Sequence, residues 1–315
     1  MSLKIIKYEE CMKSQVIELI CKEYSYNERN YSKYFTSFYD NEFQNKAIMI
    51  VALDEEKIVG FQSFFYWPYI QNGKQFNSFQ SGNSIVDKNY RGKGIFKKML
   101  QFIENNNFNI DFIVGFPVEV SYHSFMKANW KNPFNLQWYL KFNNLFSVFF
   151  NPNYNLLENN FGIYQKYNLN GLSSITAMSD SQDFLGWRNS YYKNNHYYYT
   201  YSKNSSVCEI GFKLNIRKKY LKELIIGQIN GNLENTTFVT EAIESFLKEV
   251  RKIKFITFVS IAINSNNFDY INMLKKLNFK KTEKKIYFII KEVKKEFILD
   301  DYRNWLILRG DLDTW

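Results

Sequence analysis

The run Arg91-Gly92-Lys93-Gly94-Ile95 limits what this chain can fold into more than any other stretch. It stands between a strand-like segment, Phe79 to Val86, and a segment in which Ile95, Phe96, Met99, Leu100 and Ile103 fall on one helical stripe. Two closely spaced glycines let the backbone turn tightly at such a junction, so that successive N–H groups and the positive end of the helix can face an anion. Arg91 and Lys93 add positive charge beside Gly92 and Gly94. No Lys-Ser/Thr pair follows the last glycine, and the GxGxxG spacing is absent, which argues against a nucleoside-triphosphate loop and a dinucleotide fingerprint.

The elements around this loop alternate in a definite order. Leu3 to Lys7 reads as a strand, followed by a helix carrying Met12, Val16, Leu19 and Ile20 and a second helix around Tyr31 to Phe38. Lys46 to Leu53, Ile58 to Tyr66 and Gln75 to Val86 are rich in branched and aromatic residues and read as a meander, with turns at residues 54–57 and at Asn72-Gly73. After a helix over 94–107, Ile110 to Phe116 is a short buried strand. A helix from about Ser121 to Ala128 then stops at Asn129, a residue suited to a left-handed cap, and Gln137 to Phe142 is a further strand.

The second half echoes the first. Leu274-Lys-Lys-Leu-Asn278-Phe279-Lys280 matches Phe125-Met-Lys-Ala-Asn129-Trp130-Lys131, and a helix stripe at Val239, Ile243, Phe246, Leu247 and Val250 precedes a buried strand, Phe255 to Ile263. A strand at Lys285 to Lys291 closes this repeat. The corresponding loop there has Gly231 alone. At 315 residues the chain has room for two domains: residues 1–142, a connecting segment at 143–174, and a second lobe at 175–315.

The composition narrows the partners. With 41 basic and 31 acidic residues the net charge is +10, which suits anionic partners in general. Cys11, Cys21 and Cys208 are irregularly spaced, and His123 and His196 are the only histidines, so neither a zinc site nor a disulfide framework is expected. The greasiest windows, Leu145 to Phe150 and Phe255 to Ile263, are far shorter than a membrane span, and the first residues hold no apolar run of signal-peptide length. A cytoplasmic protein is expected, with no DNA partner and no membrane span.

The stretch from Ser84 through Arg91-Gly92-Lys93-Gly94 to Phe96 resembles the acetyl-CoA pyrophosphate loop of the GCN5-related N-acetyltransferase (GNAT) superfamily, Arg/Gln-x-x-Gly-x-Gly/Ala between a strand and a helix. The element order over residues 1–142 is similar to that family's as well. The resemblance implies an α/β fold, a mixed and mostly antiparallel sheet flanked by helices, in two tandem lobes of which the second is degenerate. It implies acetyl-CoA as co-substrate, held by Ile85, Val86, Arg91, Gly92, Lys93, Gly94, Ile95, Phe96 and Ser121, with strand N–H groups near Ser84 to Val86 serving the oxyanion. Asp183 to Arg188 and Gly310 to Thr314 resemble segments of tandem-lobed members linked to polysaccharide biosynthesis.

Acetyl transfer to an amine needs a base, because only the neutral amine attacks. Glu119, just past the strand ending at Phe116, is the first candidate, and a charge at a helix start is its other reading. His123 can do the same work near neutral pH or be a surface histidine. The position where relatives carry a tyrosine acid is Phe125 here. Tyr122 is the nearest substitute, unless it only packs. Ser121 either holds the pantetheine arm or caps the helix. Trp187 and Arg188 either face an interlobe cleft, where the cation meets a sugar-nucleotide phosphate, or anchor a domain interface.

The resulting expectation is an acetyl-CoA-dependent N-acetyltransferase acting on a small-molecule amine such as an amino sugar or sugar nucleotide. Two other classes stay open: an aminoacyl-tRNA-dependent peptidyltransferase-like enzyme, for which tRNA would be the partner, and a non-catalytic acyl-CoA-binding protein.

Overall fold

The computed structural model describes residues 3–163, 169–170, 173–191, 196–218, 220–294 and 301–315. In chain order the elements begin β1 (Leu3–Lys7), α1 (Lys13–Tyr24), α2 (Glu28–Tyr39), β2 (Ile48–Asp54), β3 (Lys57–Tyr66), β4 (Tyr69–Gln71), β5 (Lys74–Gln75) and β6 (Ser78–Val86). Next come α3 (Ile95–Asn105), β7 (Phe112–Gly115), α4 (Glu119–Lys127), β8 (Lys131–Phe142), α5 (Tyr154–Asn160), β9 (Thr176–Met178) and α6 (Gln182–Tyr191). The rest are β10 (Tyr197–Lys203), β11 (Ser206–Arg217), β12 (Leu221–Gly231), α7 (Thr236–Arg251), β13 (Phe258–Asn264), α8 (Phe268–Lys276), β14 (Lys280–Glu292) and β15 (Trp305–Leu306). The fold is the expected mixed α/β, with largely antiparallel strands and flanking helices.

Two compact units emerge, and neither is continuous in sequence. Unit 1 comprises Met1–Pro68, Phe76–Pro133 and Tyr287–Leu299; unit 2 comprises Tyr69–Gln75, Phe134–Ile286 and Asp300–Trp315. The linear division at 142 and 174 expected from sequence therefore differs from the partition by contacts.

In unit 1, β1, β2, β3 and β6 form an antiparallel meander, and β6 pairs in parallel with β7. The neighbour beyond β7 comes from far along the chain: the end of β14 runs antiparallel to β7, with Ile289 opposite Gly115. A Cβ on Gly115 would stand 3.1 Å from the Ile289 side chain, so glycine permits this close approach. The core joins Val59 and Phe64 of the sheet to Met99, Leu100 and Ile103 of α3 and Phe125 of α4. The stripe read from the α3 sequence is thus the face it buries.

Unit 2 repeats the scheme. β10, β11 and β12 form a meander, β12 pairs in parallel with β13, and β13 runs antiparallel to β8, with Phe258 opposite Phe142. The strand at 137–142, read from sequence as the last of the first lobe, pairs here, whereas the end of β14 pairs in unit 1. Each meander-plus-helix set is completed by a strand from the other half of the chain. A smaller sheet has the order β15-β9-β4-β5. α7 buries Val239, Ile243, Phe246, Leu247 and Val250, and the side chain of Asn235 caps it by accepting from Phe238 N at 3.0 Å. α4 and α8 both end at asparagines with positive φ, Asn129 (59°) and Asn278 (61°), as the repeated Asn-aromatic-Lys motif suggests.

Candidate functional site

The site in unit 1 arises where two parallel strands part. β6 and β7 are paired from Ser78↔Phe112 to Ser81↔Gly115, after which β7 ends and β6 runs on through Gly82 to Val86. On its other edge β6 pairs with β3, but Gln62 stands opposite both Asn83 and Ser84, a bulge in which Asn83 takes φ 50°. Polar side chains fix that bulge. Asn83 Nδ2 donates to the Tyr39 hydroxyl at 2.7 Å, Tyr39 is 2.6 Å from Ser63 Oγ, and Ser84 Oγ donates to Gln62 Oε1 at 2.5 Å. Tyr24 donates to the carbonyl of Ser84 at 3.3 Å and stacks on Tyr26 with ring centroids 5.5 Å apart. Sequence reasoning missed this cluster, because its members come from α1, α2, β3 and β6 and no motif spans them.

At the end of β6 the chain turns through Asp87 into the glycine loop. Asp87 is buried, and its carboxyl is held below the usual range, first by the Asn89 N–H and then by Lys57 and Lys22 at 3.5 and 3.8 Å. Gly92 and Gly94 adopt φ 78° and 73°, in the left-handed region that penalises any Cβ. Gly94 is the N-cap of α3, and no side chain caps that end. The first-turn N–H groups, including those of Ile95 and Phe96, thus have no intrahelical partner and face the exposed loop, an arrangement suited to phosphate oxygens.

The other expected coenzyme residues divide. Arg91 is exposed, but its Nη2 lies 2.5 Å from Glu23 Oε2 and its Nε donates to the Val86 carbonyl at 3.0 Å, so the guanidinium ties the loop to α1 and the end of β6. Lys93 Nζ lies 4.6 Å from the centre of the Tyr90 ring. Ile85 is buried and Val86 half-buried on the strand end. Phe96 occupies the position where the loop motif has Gly or Ala, and its ring packs edge-on against Phe125 at 5.1 Å. The Phe125 ring also contacts Trp130 at 4.9 Å, so the side chain at the position where a tyrosine acid was expected belongs to the core.

α4 carries the expected catalytic residues. Glu119 and His123 are exposed on it. The Tyr122 hydroxyl donates to Asn132 Oδ1 at 3.1 Å, and its ring stacks on Tyr287 at 4.3 Å. Ser121 lies within the first turn and donates to the Val118 carbonyl at 3.1 Å, while Val118 itself is the N-cap.

The corresponding strand-to-helix junction of unit 2 is built differently among the described residues. Between β12 and α7 lie only residues 232–235, and the side chain of Asn235 occupies the helix N-terminus. The C-terminal segment also sits beside β12 and β13: Asn264 N donates to the Ile307 carbonyl at 3.1 Å, Ile263 bridges Leu308, and a Cβ on Gly227 would fall 2.3 Å from the Trp315 ring. The expected substrate residues Trp187 and Arg188 are in this unit's interior, and Arg188 is fully buried. Its guanidinium lies over the Phe184 ring at 5.7 Å and contacts Met178 Sδ, Gln228 Oε1 and the Gly310 carbonyl. An internal anchor, rather than a cation presented to a phosphate, describes Arg188 in this structure. The two strings singled out around 183–188 and 310–314 meet here. A separate cavity of about 260 Å³ is lined by His196, Lys213 and Trp315 among others. Burial, helped by Arg188 and Lys213, lowers the His196 pKa to about 2. Among the described residues no group of His, Cys, Asp and Glu could hold a metal ion, and no helix is long and apolar enough to cross a membrane.

Comparison with known proteins agrees with this architecture. Residues 4–129 match the family model described as an acetyltransferase (GNAT) domain. The solved structure of a GCN5-related N-acetyltransferase from Anabaena variabilis ATCC 29413 is similar over 93% of this chain and 73% of its own, with 12% identity and a TM-score of 0.63. A probable N-acyltransferase from Enterococcus faecalis V583 is similar over 96% and 75%, with 11% identity and a TM-score of 0.61. A GCN5-related N-acetyltransferase from Kribbella flavida gives 93% and 72%, 8% identity and 0.59. Identities this low establish likeness of fold alone. No curated protein matches the sequence.

Proposed function

Taking residues 4–129 as a GNAT acetyltransferase domain, we propose that the chain is an acetyl-CoA-dependent N-acetyltransferase whose acceptor is the primary amine of a small molecule, with amino sugars and sugar nucleotides as the first class to test. The observation that carries this reading is the junction of the parted β6–β7 pair with the left-handed Gly92/Gly94 turn at the start of α3. One feature supplies a groove edge for an extended arm, and the other supplies N–H groups for a diphosphate.

In the proposed reaction the amine nitrogen attacks the thioester carbonyl carbon, and N–H groups along Ser84 to Val86 receive the developing oxyanion. Collapse breaks the C–S bond, coenzyme A leaves as thiolate, and the amine proton passes to Glu119, directly or through one water. His123, one helical turn further along α4, is the second candidate for that proton. The Tyr122 hydroxyl already donates to Asn132, so protonation of the leaving thiolate by Tyr122 requires that bond to open. Thiolate release without an acid is the simpler course.

The test has two arms. Coenzyme A should raise the thermal midpoint in a concentration-dependent way, as any ligand of the native state must. Thioester consumption is then followed over a panel of amino sugars, their nucleotides and simple amines, with products identified by mass spectrometry. Absence of coenzyme binding would overturn the reading, and binding without turnover on any amine would replace it with an acyl-CoA-binding role.

A further inference from the structure

Residues 142–150 of unit 2, Phe-Asn-Asn-Leu-Phe-Ser-Val-Phe-Phe, turn their apolar side chains outward and their polar ones inward, the reverse of an ordinary surface turn. Phe142, Leu145, Phe146 and Phe149 are 70%, 72%, 70% and 81% exposed. Asn143 Nδ2 donates to the Ile256 carbonyl at 3.1 Å, and Asn144 caps the turn through Oδ1 while its Nδ2 donates to the Lys254 carbonyl at 2.5 Å. Ser147 Oγ donates to Thr257 Oγ1 at 2.8 Å, and the Ser147 carbonyl accepts from the buried Lys222 ammonium at 3.0 Å. The turn is held from beneath by these bonds, so its apolar display is built into the fold.

We propose that this turn is a docking element for an anionic lipid bilayer, with Leu145, Phe146 and Phe149 entering the headgroup and acyl boundary. Two observations select lipid over a protein partner. A protein interface of ordinary size carries about one hydrogen bond per 100–200 Å², yet every polar side chain within 142–150 is engaged internally, which leaves a surface matched to a medium that offers no hydrogen bonds. The adjoining segment 248–254, against which Asn143 and Asn144 are fastened, holds Lys248, Arg251, Lys252 and Lys254 with Glu249 as its only acid. Glu249 is 2.7 Å from Lys252, while Lys248, Arg251 and Lys254 are exposed. Large apolar side chains beside a basic cluster form the combination that binds anionic interfaces, the former by insertion and the latter by attraction to lipid headgroups.

Flotation of the full chain tests this with vesicles of phosphatidylcholine alone and of equal parts phosphatidylcholine and phosphatidylglycerol. The wild type should float with the anionic vesicles and remain free with the neutral ones. A Phe146→Ser/Phe149→Ser variant should lose at least about tenfold in partition coefficient, and an Arg251→Glu/Lys254→Glu variant should lose a similar factor that added salt reproduces in the wild type. Circular dichroism and unchanged coenzyme A affinity establish that each variant is folded, and Phe149→Ser alone serves if the double variant is not. Failure of the wild type to float with anionic vesicles overturns the proposal, as does undiminished flotation of a folded phenylalanine variant. A concentration-dependent dimer in sedimentation that the same substitutions dissociate, without vesicle binding, would assign the turn to self-association instead.

Discussion

Gly115 lies opposite Ser81 on the last rung between β7 and β6, and beyond that pair the two parallel strands no longer share hydrogen bonds. Backbone polar groups that are not paired in a sheet must find water, a side chain or a ligand. The bulge at Asn83 and the glycine turn at 92–94 lie along the same strand end, so the unpaired edge leads directly to the uncapped start of α3.

Replacing Gly94 tests this site. A Cβ there would meet nothing within 4 Å, so the cost of Gly94→Ala is conformational, on the order of 1 kcal/mol for φ 73°. Gly94→Asp adds a negative charge against the proposed diphosphate. Calorimetric titration of coenzyme A should show a loss of several-fold for alanine and of about a hundredfold or more for aspartate. Unchanged affinity in the aspartate variant would sink the assignment of the loop.

Glu119→Gln keeps the shape of the side chain and removes the proposed base. On an accepted amine, kcat should fall by about 10² or more with coenzyme A affinity unchanged. A rate within about threefold of wild type would return Glu119 to a helix-start charge and pass the base role to His123, tested in the same way by His123→Gln.

In unit 2 the Gly227 position is filled by its neighbour: a Cβ would lie 2.3 Å from the Trp315 ring, and on Gly310 one would lie 2.2 Å from the Gly227 carbonyl oxygen. Gly227→Ala should therefore cost about 1–3 kcal/mol of stability through overpacking in a site that cannot yield without displacing the indole. Urea unfolding of Gly227→Ala and of the double variant Gly227→Ala/Trp315→Ala should show partial rescue in the latter. Equal loss in both would mean that the ring is not the obstacle.

His196 makes stability depend on pH with a definite sign. Its folded pKa, near 2, lies below the unfolded value near 6.5, so between them only the unfolded chain takes the proton. Stability from this group is present above pH 6.5 and is lost as pH falls, at up to about 1.4 kcal/mol per pH unit. Asp311 acts in the opposite sense, since burial raises its carboxyl to about 7 and the folded chain protonates first. Comparing wild type with His196→Gln by urea unfolding at pH 7, 6 and 5 cancels the Asp311 contribution. The difference between the two should shift against the wild type as pH falls; a constant difference would show that His196 is hydrated.

Local spacing made part of both units legible. The α3 stripe, the glycine turn and the Asn129 and Asn278 caps depend on residues within one or two helical turns of each other, and propensity acts over that range. The segment 143–174 is different: it lacks periodicity, yet it holds α5 and a turn whose form depends on bonds to residues 254–257. The burial of Arg188 was equally hidden, because Met178, Gln228 and Gly310 reach it from three separate segments.

The sequence by itself determined most of the element order over residues 1–142, the repeated Asn-aromatic-Lys motif and the glycine turn, since each follows from side-chain periodicity or from the conformational freedom of glycine and asparagine at single positions. Only the tertiary structure decided which strands pair. β7 and β13 are short strands buried along their whole length and carry no pattern that singles out a sheet partner, so strand choice rests on close fits such as Ile289 over Gly115, between residues far apart in the chain.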